Sequence, residues 1–218
     1  MADTIQQLDN QRRKLEEPVQ KFINMGLTVV QKKESEGREL QTLLQEKAEI
    51  ASRIASLQAQ YQTLSEQLSS SSSGDDDDDA ADQQAVLSQM LQIQGEISAE
   101  QKKALDKDRE IEEKKKRLKQ IEEYLRQLRI QLQSFYRGLE ILEKEYYRER
   151  EKTRGARNTL DLAAAIRFGG SASAASAAAG SVEGRCDASM QACASVKSDL
   201  NKAMSKIDGS LQLEQSER

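Results

Sequence analysis

Apolar residues recur along two long stretches of the chain at alternating spacings of three and four. In the first stretch a single register takes in Leu8, Leu15, Val19, Phe22, Val29, Leu40, Leu43, Ile50, Ile54, Leu57, Tyr61, Leu64 and Leu68. In the second it takes in Val86, Met90, Ile93, Ile97, Ile111, Leu118, Ile121, Leu125, Leu128, Leu132, Phe135, Leu139, Leu142 and Tyr146. A seam with this period turns one helix face toward a neighbouring helix, which is the coiled-coil arrangement. The spacing predicts coiled-coil helices over residues 1–68 and 83–158.

The two seams also match each other. If residue i lies opposite residue 154 − i, every a layer of one stretch meets a d layer of the other, as antiparallel pairing requires. Leu68 then meets Val86, Leu57 meets Ile97, Leu43 meets Ile111, Phe22 meets Leu132 and Leu15 meets Leu139. The fold expected is all-α, a long antiparallel coiled-coil hairpin. Arms of about 64 residues at ~1.5 Å per residue give a rod on the order of 95 Å.

Composition places the breaks. The run Ser69–Ser73, Gly74, Asp75–Asp79 falls between the two seams. Serines compete with the helix for backbone hydrogen bonds and adjacent aspartates repel one another, so residues 69–82 read as an acidic loop. Residues 159–184 are rich in Ala, Gly and Ser and read as a flexible linker. Residues 185–218 read as a short C-terminal helix and tail, with Val196, Leu200 and Ile207 on a thin apolar stripe and Gly209 as a C-cap. So thin a stripe needs a partner, which makes these three candidate partner-binding residues.

Some seam layers are polar. Ile54 faces Glu100, Leu40 faces Lys114, and Lys47 faces Lys107, so the middle third is a weak zone where another chain is expected to pack. Pro18 either kinks the first helix or, with Glu17, begins it.

The chain is 37% hydrophobic, 32% charged and only 4% aromatic, with no Trp and one Pro. This suits a narrow object with much wetted surface better than a compact core. Net charge is −4, from 33 basic and 37 acidic side chains, and names no partner. No apolar run reaches the ~18 residues of a membrane span. The N-terminus lacks the design of a signal or transit peptide. Two cysteines are too few for a disulfide framework, so a reducing, cytoplasmic setting is expected.

The chemistry-bearing residues point away from catalysis. There is no histidine, the commonest general base and metal ligand. Cys186 and Cys193 are seven apart and lack CxxC spacing. No phosphate-binding glycine loop occurs, and an EF-hand begun at Asp75 finds Ala80 and Val86 where Gly and Glu are needed. No cofactor or metal is expected, although the Asp run leaves loose divalent-ion binding open. The basic run Lys114–Lys119 is interleaved with glutamates one turn away and has no aromatic platform, so no nucleic acid is expected. Arg148, Arg150 and Arg154 belong to a less neutralised cluster that makes the open end of the hairpin positive, a second candidate partner site. The apolar segment Thr159–Phe168 reads as the frayed end of the second helix rather than a groove or membrane-surface insert.

The function expected is non-enzymatic: a structural or adaptor protein that spaces and joins partner helices, other coiled-coil chains or its own copies. Homopolymeric Ser, Asp and Ala tracts suggest a cytoskeletal, ciliary, centrosomal or trafficking assembly. The alternative is a membrane-remodelling polymer. In length and hairpin layout the chain resembles the phage-shock and ESCRT-III hairpins and, equally loosely, the hairpin stalks of bacterial export machines. That likeness is architectural and carries no motif.

Overall fold

A computed structural model describes residues 2–71, 79–168 and 174–212. They form three helices, α1 (Ala2–Ser71), α2 (Asp79–Phe168) and α3 (Ala174–Gln212), and no strand occurs among the described residues. The all-α hairpin with a C-terminal helix is the fold the apolar spacing implies. Helix is the natural state of sequences dominated by Gln, Glu, Lys, Arg, Leu and Ala. Helices this long are nevertheless stabilised chiefly by what covers their apolar stripes.

The contacts divide the chain into two compact units. One comprises Met1–Lys33 and Ile121–Arg218, the other Glu34–Gln120. In the second unit α1 and α2 run antiparallel as a bare helix pair. Lys47 reaches Asp108 at 2.5 Å, Lys107 reaches Glu46 at 2.9 Å, and Lys114 reaches Glu36 at 2.6 Å and also pairs with Glu39. These pairs fall within four residues of the register read from the seams. They also correct the expectation of a weak middle zone at two of its layers. Lys47 and Lys107 carry their ammonium groups sideways to acids on the opposite helix, so neither confronts the other.

The first unit is a three-helix bundle. α1 and α2 keep the same register: Leu15 reaches within 3.6 Å of the position a Cβ on Gly138 would take, and the Phe22 and Phe135 rings stack at 5.3 Å between centroids. α3 lies across both, antiparallel to α2 and parallel to α1. The core contains Ile5, Val19, Leu125, Leu132, Leu139, Tyr146, Cys186, Cys193, Leu200 and Ile207, each at most 1% exposed. At ~1.5–3 kcal/mol per buried large apolar side chain, such a core offsets local defects in the helices. Pro18 is one of them. It sits inside α1 rather than at its start, where its missing N–H and its ring cost about 3 kcal/mol. Gly26 is another. It leaves room for Ile207, whose Cδ1 lies 3.1 Å from where a Cβ would stand.

Several expected boundaries move. Residues 69–71 extend α1 and 79–82 open α2, while 72–78, the heart of the expected acidic loop, lie outside the described residues. α2 continues to Phe168 and α3 begins at Ala174, so most of the expected linker over 159–184 is helical; residues 169–173 and the tail 213–218 are outside the described set. Alanine favours helix, and the early turns of α3 are held by docking: Ser176 is buried and Val182 packs on the core. Gly180 and Gly184 each cost about 1 kcal/mol inside a helix, and that packing outweighs them. Gly209 is likewise inside α3, which runs three residues beyond it, and is not a C-cap.

Lys33 is the one seam lysine that is buried, at 6% exposure. Its Nζ donates to the Ser210 carbonyl at 2.6 Å and pairs with Glu122, itself 7% exposed, at 3.1 Å. Removing one member of a buried ion pair leaves the other charged and desolvated. Lys33→Met is therefore expected to lower the unfolding free energy by about 3 kcal/mol, and Lys33→Met with Glu122→Met to recover most of that loss. Urea titrations of the two variants against the parent chain check both values.

Candidate functional site

The first unit buries most of its seam against itself, although Ile130, Ile141, Tyr147 and Leu162 stay exposed on its outer faces. Leu8, Val19, Leu125, Leu128, Leu132, Leu139, Leu142 and Tyr146 are buried, and Leu15, Phe22, Val29, Ile121 and Phe135 are half-buried against the same cluster. Of the candidate partner-binding residues on α3, Leu200 and Ile207 are fully buried in this core and Val196 packs beside it. The partner the thin stripe required is thus the chain's own hairpin. These residues are not open to another molecule.

The spacing read from the seams had no way to mark the positions that seat α3. They lie one step past the d column: Ile23 and Val30 on α1, and Glu122, Arg129, Tyr136, Glu143, Arg150 and Arg157 at seven-residue intervals on α2. Arg129 binds Asp208 at 3.0 Å, Arg150 binds Asp187 at 2.9 Å and Arg157 reaches Glu183 at 3.5 Å. Lys197 pairs with Glu143 and lies 5.5 Å above the Tyr136 ring. The sevenfold repeat, charged at every position but Tyr136, stands in the sequence, whereas the opposite charges on α3, Glu183, Asp187, Lys197 and Asp208, are unevenly spaced and did not announce the match.

This docking also corrects the expected positive end. Arg150 is taken by Asp187, Arg148 by Glu145 at 2.5 Å and Lys152 by Glu149 at 2.6 Å, leaving Arg154 exposed. The basic run is self-paired too: besides Lys114, Lys115 binds Glu112 at 3.1 Å and Arg117 approaches Glu113 at 3.9 Å.

One polar cluster joins all three helices of the unit. Asp9 accepts hydrogen bonds from the Tyr146 hydroxyl at 2.7 Å, from Ser189 Oγ at 2.8 Å and from Arg185 Nη2 at 2.9 Å. Burial pushes the Asp9 carboxyl up, yet the three donors together outweigh it and hold it below the usual aspartate range. Burial, then the bond to Asp9, keeps the Tyr146 phenol protonated far above its ordinary value. Cys186 and Cys193 are fully buried, and burial raises both thiols, the reverse of an activated thiolate. Among the described residues no group of three His, Cys, Asp or Glu side chains could hold a metal ion, and no helix is long and apolar enough to cross a membrane. The Asp9 cluster has the makings of a lock on the bundle.

The second unit is different. Of the seam residues there, only Ile50, Ile111 and Leu118 are buried, and between Ile50 and Ile111 no described residue is buried at all. Leu40, Leu43, Ile54, Leu57, Tyr61, Leu64, Leu68, Val86, Met90, Ile93 and Ile97 are all half-buried. Open grooves follow the seam between the helices. One is lined by Leu43, Thr42, Glu39, Glu110, Glu113, Lys114 and Arg117. The other, of about 500 Å³, is lined by Arg53, Ser56, Leu57, Glu96, Ala99, Glu100 and Lys103. Glu100 was one of three polar d positions expected to await a partner. Lys107 and Lys114 find theirs within the hairpin, whereas Glu100 pairs one oxygen with Lys103 at 2.5 Å and buries the other without a donor.

Asp9→Asn keeps the shape of the lock and removes its charge. A loss of about 2 kcal/mol is expected at neutral pH, the scale of hydrogen bonds to a charged acceptor. A carboxyl that titrates lower when folded contributes fully above the ordinary value of 3.8, and its contribution fades as pH falls below it. Denaturation curves from pH 7 to pH 3 should therefore show parent and variant converging only at the acid end.

Comparison of the chain with protein-family models, with curated proteins and with solved structures finds no match to any of them.

Proposed function

We propose that this chain is a non-enzymatic structural adaptor whose second unit presents an open coiled-coil seam for further helices. The observation that supports this reading is a contrast between two stretches of one heptad pattern. Where a third helix covers it, most of the seam is buried; where only two helices meet, Ile50, Ile111 and Leu118 are buried but a run of Leu, Ile, Tyr and Met remains half-wetted. A half-exposed seam forgoes on the order of 1 kcal/mol per side chain that a covering helix would recover. Exposed Leu44, Leu87, Leu91 and Leu105 widen the apolar surface beyond the seam itself. An extended stripe of this kind marks a recognition surface for helices, read through anchors at seven-residue intervals. The first unit, with its buried core and its Asp9 lock, is a self-contained bundle. A cytoplasmic, cytoskeletal or trafficking assembly remains the setting proposed for it.

The test is site-directed photo-cross-linking in the cells that make the protein. A benzoyl-phenylalanine replacing half-buried Tyr61 is expected to form adducts between chains, whereas the same residue at Ile130, on the exposed outer face of the first unit, gives far fewer. Equal labelling at the two positions, or no interchain adduct at Tyr61, would end the adaptor reading.

A further inference from the structure

The distal part of the second unit has a surface unlike the rest of the chain. Over 54–68 and 83–99 the only charged residues are Glu66 and Glu96, in a protein that is 32% charged. The same span holds the emptiest seam, with Ile54, Leu57, Tyr61, Ile93 and Ile97 half-buried. It also exposes Leu87 and Leu91, one helical turn apart, at 48% and 70%.

The positions flanking a seam choose its partner, because charges there attract complements and reject like charges. The first unit illustrates the rule: its flanking Arg129, Arg150 and Arg157 each meet an acid on α3. In the distal span the flanking positions are Gln58, Gln60, Ser65, Gln67, Gln89 and Gln94, with Leu87 and Glu96 completing the set. Such a flank offers no charge for a complementary helix to read. It does accept an identical surface with little repulsion at the seam itself, since Glu96 is the one charge among these flanking positions. A glutamine-rich surface also brings amide donors, and Glu100 at the edge of this span has one carboxylate oxygen buried with none.

We infer that the distal span binds a second copy of the same span, two helix pairs closing face to face into a four-helix bundle whose core is the half-buried seam. This rests on the adaptor reading and names its occupant. Leu87, flanking the seam, and Leu91, one turn further along and just outside it, become buried at the contact. Because the contact is apolar and nearly uncharged, salt does not dissolve it.

Light scattering with sedimentation equilibrium on the purified full-length chain tests this. The expected mass is that of two 24.4 kDa chains at tens of micromolar, unchanged in 1 M NaCl. Leu87→Glu with Leu91→Glu should return it to one chain with helical circular dichroism retained, since both side chains are exposed in the single chain. Leu91→Gln, which adds no charge, should weaken association about tenfold, and Ile130→Glu with Ile141→Glu, exposed on the first unit, should leave the dimer intact. A one-chain mass for the parent, a mass above two chains, a dimer that survives both Leu91 variants, or one that dissolves in salt overturns the inference. The adaptor reading fails separately: a monomeric parent chain whose Tyr61 still cross-links to another protein in cells removes only the self-association.

Discussion

A pair of helices can hide only the inner edge of an apolar seam; a third body is needed to cover its flanks. Most of this structure follows from that geometric limit. Over Met1–Lys33 and Ile121–Arg218 the chain supplies the third body itself, and residues such as Leu125, Leu132 and Leu139 lose all contact with solvent. Over Glu34–Gln120 it supplies none, and residues of the same type at the same heptad positions, Ile50, Ile111 and Leu118 apart, stay half-wetted. The polar layers at Lys47, Glu100, Lys107 and Lys114 account for part of the difference, and what surrounds the seam for the rest. Leu40 and Leu132 are the same amino acid at equivalent register positions in two different surroundings.

Charge is distributed in keeping with this. Lysines in the seam are tolerable because a long stem lies along the apolar face while the ammonium reaches an acid beside it. Lys47, Lys107 and Lys114 use this route, and as partly exposed pairs they add little stability. Their contribution is to fix alignment, since a slip of one turn would place each lysine opposite the wrong neighbour. Lys33 differs in kind. Enclosed by three helices, it must be neutralised where it sits, and Glu122 together with the end of α3 does so.

The hairpin was legible because its determinants are periodic. Two seams that can mate layer by layer favour a hairpin over other topologies, and the observed ring contact and ion pairs between α1 and α2 fall within four residues of that register. What escaped was non-periodic or depended on docking. The Ala/Ser stretch before Cys186 looks like linker by composition, yet tertiary contacts through Ser176 and Val182 make it helix. Pro18 and Gly209 are local stop signals overridden by continuous packing on either side. Asp9 sits one step off the seam and resembles any surface aspartate until Tyr146, Ser189 and Arg185 converge on it from two other helices. The residues of the candidate interaction surface were readable from their period, but not their accessibility, which depends on where α3 ends up.

The Asp9 lock also bears on the order in which the bundle assembles. Its bonds span 137 to 180 residues of sequence, and the Lys33–Ser210 bond spans 177. The α2–α3 contacts, Lys197 with Glu143 and Arg129 with Asp208, span only 54 and 79. Loop closure costs more entropy the longer the loop, so within this bundle α3 meets α2 at lower cost than it meets α1. Seating α3 against α1 through Asp9 and Lys33 thus closes the longest of these loops, and it is the step of assembly that follows the others.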